Sequence, residues 1–235
     1  MIDIHSHILP GVDDGPQSVR ESLSMLRSSF LQGVDTMVST SHFYANDEYP
    51  EEFLNRRNAA ARQLEEAMLF STEVYPEVIL GAEVLYFPGI SDAEGIEQLR
   101  IGDSRTILIE PPMAPWSEDM LDEIRQLGEN FNLVPIIAHV DRYMSILKDP
   151  SLLDRALNRE LMVQVNGSYF LNPGTRDTAF RNLKAGKLQL IGSDCHNVDS
   201  RCPNLGSVRK LARSRNFEDA FSQFSQNAAE LLNRR

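Results

Sequence analysis

Short apolar runs, each too brief to be a helix, alternate with amphipathic stretches along the whole chain, and that alternation restricts the fold to a parallel β-sheet covered by helices. The runs lie near Ile2–Ile4, Thr36–Thr40, Val78–Glu83, Thr106–Glu110, Val134–His139, Met162–Val165 and Leu190–Ser193. They are rich in Val, Ile, Leu and Thr, as strands are. Between the first two, Val19, Leu23, Leu26 and Phe30 recur at helical spacing behind Ser18 and Glu21, a capping-box pair, so a helix is expected to end near Gly33. Further helices are expected from Pro50 to about Phe70, Glu118 to Asn130, Gly174 to Ala185 and Phe217 to Leu232.

The placement of polar residues chooses between an open sheet and a barrel. All five histidines, His5, His7, His42, His139 and His196, fall where an expected strand runs out or just beyond it, and Glu83 and Glu110 finish two more apolar runs. An open sheet gathers its binding residues at one switch point, whereas a barrel collects them from many strand ends. The expectation is therefore an α/β fold, a distorted seven-stranded (β/α) TIM-like barrel, forming one domain over residues 1–235. The usual nucleotide fingerprints, a Gly-x-Gly-x-x-Gly after the first strand or a Walker phosphate loop, are missing from the sequence.

A formal charge of −11 argues against a broad electrostatic grip on nucleic acid or anionic lipid. No apolar run approaches the ~18 to 20 residues of a membrane span. The two cysteines, Cys195 and Cys202, form neither a disulfide framework nor a zinc-finger spacing, and residues 1–20 lack a basic region followed by an apolar one, so a reducing cytoplasm is expected. Oligomeric state is left open.

His5 and His7 are two apart at a strand end, which puts both imidazoles on one face, and Asp194 and His196 repeat the arrangement. A lone His-x-His is a common chance pattern. Imidazoles and carboxylates converging in a buried place would each cost roughly 2 to 7 kcal/mol of desolvation, and divalent cations remove that penalty by coordination. Glutamate rarely ends a buried strand without a partner, which adds Glu83 and Glu110 to the set. Asp13 and Asp14, in Gly-Val-Asp-Asp-Gly, sit in a turn from which either could reach a metal. Arg142 and Arg201 are candidates for a phosphate clamp, since a planar guanidinium holds two phosphate oxygens at once.

Through His5-Ser6-His7, Ser41-His42, Gly81-Ala82-Glu83, Ala138-His139 and Gly192-Ser193-Asp194-Cys195-His196, the chain resembles the polymerase and histidinol phosphatase superfamily over nearly its whole length. More narrowly, Met1 to Gly15 and His139-Val140-Asp141-Arg142-Tyr143 look like the manganese-dependent tyrosine phosphatases of bacterial capsule and exopolysaccharide loci. The resemblance implies a distorted seven-stranded barrel and three metal ions. His5, His7, Glu83 and Asp194 would surround one, Glu83, Glu110 and His139 a second, and Asp14, His42 and His196 the third, with Asp13 the alternative to Asp14. It points to Mn²⁺, with Fe or Zn as alternatives, to Arg142 and Arg201 as the catalytic arginines, and to the phosphotyrosine tail of an autophosphorylating bacterial tyrosine kinase as substrate.

Competing readings are a small-molecule phosphatase of the histidinol-phosphate type, a nuclease on the same metals, and a metal-binding regulatory protein without turnover. Cys195 and Arg201 also satisfy a Cys-x5-Arg spacing, but the intervening residues have no glycine and include Asp199, which is unsuited to cradling a phosphate dianion. Tyr44, Tyr49, Phe87 and Trp116 fall in loops after expected strands and could form an apolar rim for a phosphotyrosyl ring, although ordinary packing is the stronger reading for any one of them.

Overall fold

The computed structural model describes residues 1–233. Strand β1 (Ile2–Ser6) leads into helix α1 (Val19–Leu31), where the Ser18 hydroxyl accepts from the Glu21 amide, while the Glu21 carboxylate takes the Gln17 amide and not that of Ser18, half of the expected capping box. Next come β2 (Thr36–Ser39), β3 (His42–Phe43), α2 (Pro50–Leu69), β4 (Glu77–Leu80) and β5 (Glu83–Leu85). The chain continues through β6 (Thr106–Glu110), α3 (Glu118–Phe131), β7 (Val134–Ile137), α4 (Val140–Ile146), α5 (Leu152–Leu157) and β8 (Met162–Asn166). It finishes with α6 (Gly167–Leu171), α7 (Arg176–Lys184), β9 (Leu190–Gly192), α8 (Leu205–Ser214) and α9 (Glu218–Leu232).

All pairing is parallel, but the strands fall into a three-stranded sheet, β1-β2-β4, and a six-stranded sheet, β3-β5-β6-β7-β8-β9. This departs from the expected seven uninterrupted strands, because two of the apolar runs break. The strand in the run Thr36–Thr40 stops at Ser39, whose pairing with Ser6 is closed by the Thr40 amide donating to the Ser6 carbonyl (2.8 Å) while the Thr40 hydroxyl takes the Ser6 amide (3.2 Å), and pairing resumes at His42 in the other sheet. The run Val78–Glu83 breaks at Gly81-Ala82, so Glu83 opens β5 and does not close β4. Single backbone bonds span the break, from the Gly81 amide to Ser39 O (2.8 Å) and from the Glu83 amide to Ser41 O (3.0 Å).

The far edges also meet. Ser6 bridges Cys195 in parallel, His7 N donates to Cys195 O (2.9 Å) and Asp194 N donates to His5 O (2.9 Å). Gly192 makes this approach possible, since a Cβ there would lie 2.5 Å from the Cβ of His5. The sheets thus curl toward one another, and Ile4, Val38, Leu108, Ile136 and Leu190 pack into one apolar cluster with Ala228 and Leu231 of α9. A larger cluster lies between the strands and the other helices. Among the described residues, no helix is long and apolar enough to cross a membrane.

Candidate metal centre

Glu83 is the hub of the site. Its carboxylate lies 3.1 Å from His5 Nε2, 3.2 Å from His7 Nε2, 3.2 Å from His42 Nδ1 and 2.8 Å from His139 Nε2. Its register explains why: β5 places Glu83 beside His42 of β3 and Leu108 of β6, two residues before Glu110. Glu110 approaches His139 Nε2 (3.6 Å) and His42 Nδ1 (3.8 Å). Asp194 Oδ1 is 3.6 Å from His5 Nε2 and 3.7 Å from His7 Nε2. Asp14 Oδ1 lies 3.1 Å from His196 Nε2 and 3.6 Å from His42 Nε2. Every residue expected as a ligand is thus brought to one place.

The outer hydrogen bonds turn the ligand atoms inward. His5 Nδ1 faces Gln164 Oε1 (3.1 Å), His7 Nδ1 faces Asp13 Oδ2 (2.8 Å) and His196 Nδ1 faces the Asp194 carbonyl (3.0 Å). With those nitrogens donating outward, the Nε2 lone pairs of His5 and His7 converge 3.2 Å apart, with no donor between them when both rings are neutral. Asp194 is held by the Asn166 side-chain amide (2.9 Å), which in turn accepts from Gln164 Nε2 (2.9 Å). His139 and Asp194 both have left-handed backbone, φ 31° and 53°, a conformation that costs non-glycine residues free energy and recurs at functional sites.

These groups fit a cation cluster. His5, His7, Glu83, His139 and His196 are at most 2% exposed. His42 Nδ1, Glu83 Oε2 and His196 Nε2 are buried without a hydrogen-bond partner, although each points into the cluster. Among the described residues three sets have ligand atoms within 4.8 Å of one another: His5, His7 and Glu83; His42, Glu83 and Glu110; and His7, Asp14, His42 and His196. The sets overlap through His7, His42 and Glu83, so the positions these residues would offer to cations adjoin one another. Mixed nitrogen and carboxylate donors suit Mn²⁺, Fe²⁺ or Zn²⁺.

The same crowding perturbs the acid–base chemistry of the metal-free chain. Burial disfavours a charged His5, yet Glu83 and Asp194 outweigh it and push the imidazole up to about 9. Burial is likewise overcome at His7 by Asp13 and Glu83, which raise it to about 10. Glu110 is pushed up to about 7 by burial and by the neighbouring Glu83 charge. His196 falls to about 3 through burial and the nearby charges of His7 and Arg201. The carboxylates thus favour a protonated His5 and His7, while burial favours a neutral His42 and His196.

Full-length similarity accompanies this geometry. The sequence profile for capsular polysaccharide synthesis proteins, CpsB/CapC, matches residues 1–233. The chain belongs to the CpsB/CapC family. Its relatives include the tyrosine-protein phosphatase CpsB of Streptococcus agalactiae serotype III (strain NEM316), 29% identical over 246 residues that cover 99% of this chain and 98% of that one. CpsB of Streptococcus pneumoniae is 32% identical over 220 residues, covering 87% of this chain and 86% of its own. A crystal structure from work on YwqE of Bacillus subtilis and CpsB of Streptococcus pneumoniae, described as unique metal-dependent tyrosine phosphatases, superposes with a TM-score of 0.87 at 25% identity. That match covers 100% of this chain and 96% of the other.

In this CpsB/CapC protein Asp13 and Asp14 have separate places. Asp14 faces the cluster, whereas Asp13 accepts from His7 Nδ1, from Gly15 N (3.0 Å) and from His42 N (3.1 Å), bracing two imidazoles from outside. Gly15 is needed there, since a Cβ would come within 2.9 Å of both Asp13 Oδ1 and the His7 carbonyl. Arg201 spans the mouth, donating to Asp194 Oδ1 (2.9 Å) and Asp14 Oδ2 (3.3 Å). Arg142, in the first turn of α4, is exposed and shares a polar cavity with Arg201 and Asp194.

Packing, the stronger reading for each aromatic residue taken singly, claims most of the candidate rim. Tyr44 does stand at the centre, stacked on His42 with ring centroids 5.4 Å apart. Trp116 is buried against Tyr143 (5.1 Å), where packing claims it, while Tyr49 and Phe87 line a separate cleft with Phe43. Cys195 is fully buried and its thiol is pushed well above the usual range by desolvation, so the Cys-x5-Arg spacing has no nucleophile behind it. The bracing residues Gln164 and Asn166 carry a signal that sequence reading passed over: two polar residues at alternate positions of the otherwise apolar run Met-Val-Gln-Val-Asn.

Proposed function

We propose that this protein is a metal-dependent phosphotyrosine-protein phosphatase, and a single observation carries the reading: His5, His7, Asp14, His42, Glu83, Glu110, His139, Asp194 and His196 converge beside a cavity that Arg142 and Arg201 line. The name and metal dependence of its full-length relatives support it. Divalent cations bound by these residues would acidify a water and neutralise phosphate oxygens during in-line displacement. Arg201 and Arg142 hold the phosphate at the mouth, and Asp13, Gln164 and Asn166 fix the rings and carboxylates against reorientation. Phenolate has an unperturbed pKa near ~10 and leaves with modest assistance, so no strong general acid is required. Tyr44, stacked on His42 and partly exposed, offers a ring edge to the aryl group.

On this reading the metal is Mn²⁺, three ions per chain, and the substrate is the phosphotyrosine tail of a bacterial tyrosine kinase in the cytoplasm. The whole chain acts as one metallophosphatase domain, and its interrupted strands, β2 with β3 and β4 with β5, count as single strands of a seven-stranded barrel. The test is to strip the protein of metal and reload it with Mn²⁺, Fe²⁺ or Zn²⁺. Each form is then offered a phosphotyrosyl peptide, histidinol phosphate and single-stranded DNA. Hydrolysis of the phosphopeptide, abolished by chelation and highest with Mn²⁺, is expected. Preferred turnover of histidinol phosphate or DNA would replace the proposal with one of its superfamily alternatives, and tight metal binding without turnover of any substrate would leave a regulatory protein.

A further inference from the structure

In the six-stranded sheet every strand except β8 carries, or is soon followed by, a residue of the metal centre. Strand β8 ends instead in Asn166, and beyond it opens a cavity of about 400 Å³ that shares Arg142, Asp194 and Arg201 with the centre. Its remaining wall is polar and mostly uncharged: Ser145 from α4, Asn166, Ser168 from α6, Asn172 and Thr175. Asp141 also lines it, but that carboxylate is buried and accepts from the Asn166 amide (2.9 Å), which holds the end of β8 in place.

The unused hydrogen-bonding capacity points into this space. Ser145 Oγ donates to Asp141 O (2.8 Å) and Thr175 Oγ1 to Tyr169 O (2.8 Å), leaving lone pairs on both hydroxyls. Asn172 Oδ1 accepts from Gly174 N (2.8 Å) while its amide hydrogens remain available, and Ser168 is exposed. Tyr169, the one aromatic residue of the wall, is 4% exposed, so its ring presents little face to the space. Such a lining suits neither an aliphatic or aromatic side chain nor a second strongly charged group. It suits alternating N–H and C=O groups, which every residue of an extended peptide carries. Its volume, within the roughly 300–1,000 Å³ of ordinary ligand sites, admits a short peptide segment.

We propose that this cavity is a subsite for the peptide main chain next to the phosphotyrosine, reading backbone amides while Arg142 and Arg201 hold the phosphate. The inference rests on the phosphatase reading and deepens it: the substrate is an extended, unstructured phosphopeptide, recognised with little dependence on the side chains flanking the tyrosine. The metal-loaded full-length protein and its Ser168→Ala, Asn172→Ala double variant are compared on a phosphotyrosyl peptide and on p-nitrophenyl phosphate, which has no peptide group. Loss of hydrogen bonds from two side chains is expected to lower kcat/KM for the peptide by about tenfold, mainly through KM. Turnover of p-nitrophenyl phosphate should stay within about twofold and reports that the variant is folded and metallated. Equal losses on both substrates, or an unchanged peptide KM, would overturn the subsite. So would a wild-type enzyme that hydrolyses p-nitrophenyl phosphate but not the peptide, with the metallophosphatase chemistry left standing. Hydrolysis of neither would overturn the phosphatase reading itself, and the subsite with it.

Discussion

Asp13 and Asp14 are adjacent and chemically identical, yet the fold gives them different work, and replacing each by its isosteric amide separates the two roles. Asp13 Oδ2 accepts from His7 Nδ1 (2.8 Å) and from the His42 amide (3.1 Å), while Oδ1 accepts from the Gly15 amide (3.0 Å). In Asp13→Asn one of these oxygens becomes an amide nitrogen, and either rotamer sets a donor against at least one donor. The loss of a charge-assisted hydrogen bond, about 1.5–3 kcal/mol, falls on the orientation of His7 and His42 and not on a metal bond. Metal affinity should therefore weaken by about 10- to 100-fold, the usual effect of removing such a brace, with the number of ions bound at saturation unchanged. Asp14 Oδ1 instead faces His196 Nε2 (3.1 Å) and His42 Nε2 (3.6 Å). Asp14→Asn removes the negative donor from that set, and the protein should lose one equivalent of metal. Calorimetric titration gives the affinities, and elemental analysis of gel-filtered protein gives the stoichiometries. If Asp13→Asn lost an ion while Asp14→Asn only weakened binding, the assignment of the two carboxylates would be reversed.

The metal-free protein should become less stable as pH rises from about 7 to 10. His5 and His7 titrate at about 9 and about 10 in the fold, above the unfolded value of roughly 6.5. Their stabilisation is thus complete below the unfolded value and lost as pH climbs through the folded ones. Thermal unfolding checks this: a falling Tm is expected without metal, and a flat or rising Tm over that window would show that Glu83, Asp194 and Asp13 do not hold the protons. Cys195→Ser should retain phosphatase activity, and iodoacetamide should leave the folded enzyme active, because the thiol is buried and protonated. Inactivation by the serine substitution, with metal content intact, would restore Cys195 as a nucleophile.

Much of the site was written in one dimension because coordination chemistry restricts residue type. Histidine and carboxylate at the ends of apolar runs have few other uses, so the set from His5 to His196 could be assembled before any coordinates. Helices were legible for a related reason: Ser18 with Glu21, and Pro50 at the start of α2, are local signals that act over a single turn. Short α4, α5 and α6 lack enough turns to show a period, and the ten-residue α8 likewise lies outside the helices that the sequence predicts.

Strand continuity, bracing contacts and cavities were decided only in three dimensions. That strand pairing lapses at Thr40-Ser41 and at Gly81-Ala82, and resumes in another sheet at His42 and Glu83, is not visible in hydropathy. Gln164 lies far along the chain from His5, and Asn166 is separated from Asp194 by a helix-containing excursion, so these pairings exist only once the parallel strands are in register. The choice between Asp13 and Asp14 turned on which side of a tight turn each carboxylate faces. Sequence specified which chemical groups this protein brings to a strand end; tertiary structure decided which of them converge, which brace their neighbours and where a cavity opens beside them, because those depend on distances between residues that the chain keeps far apart.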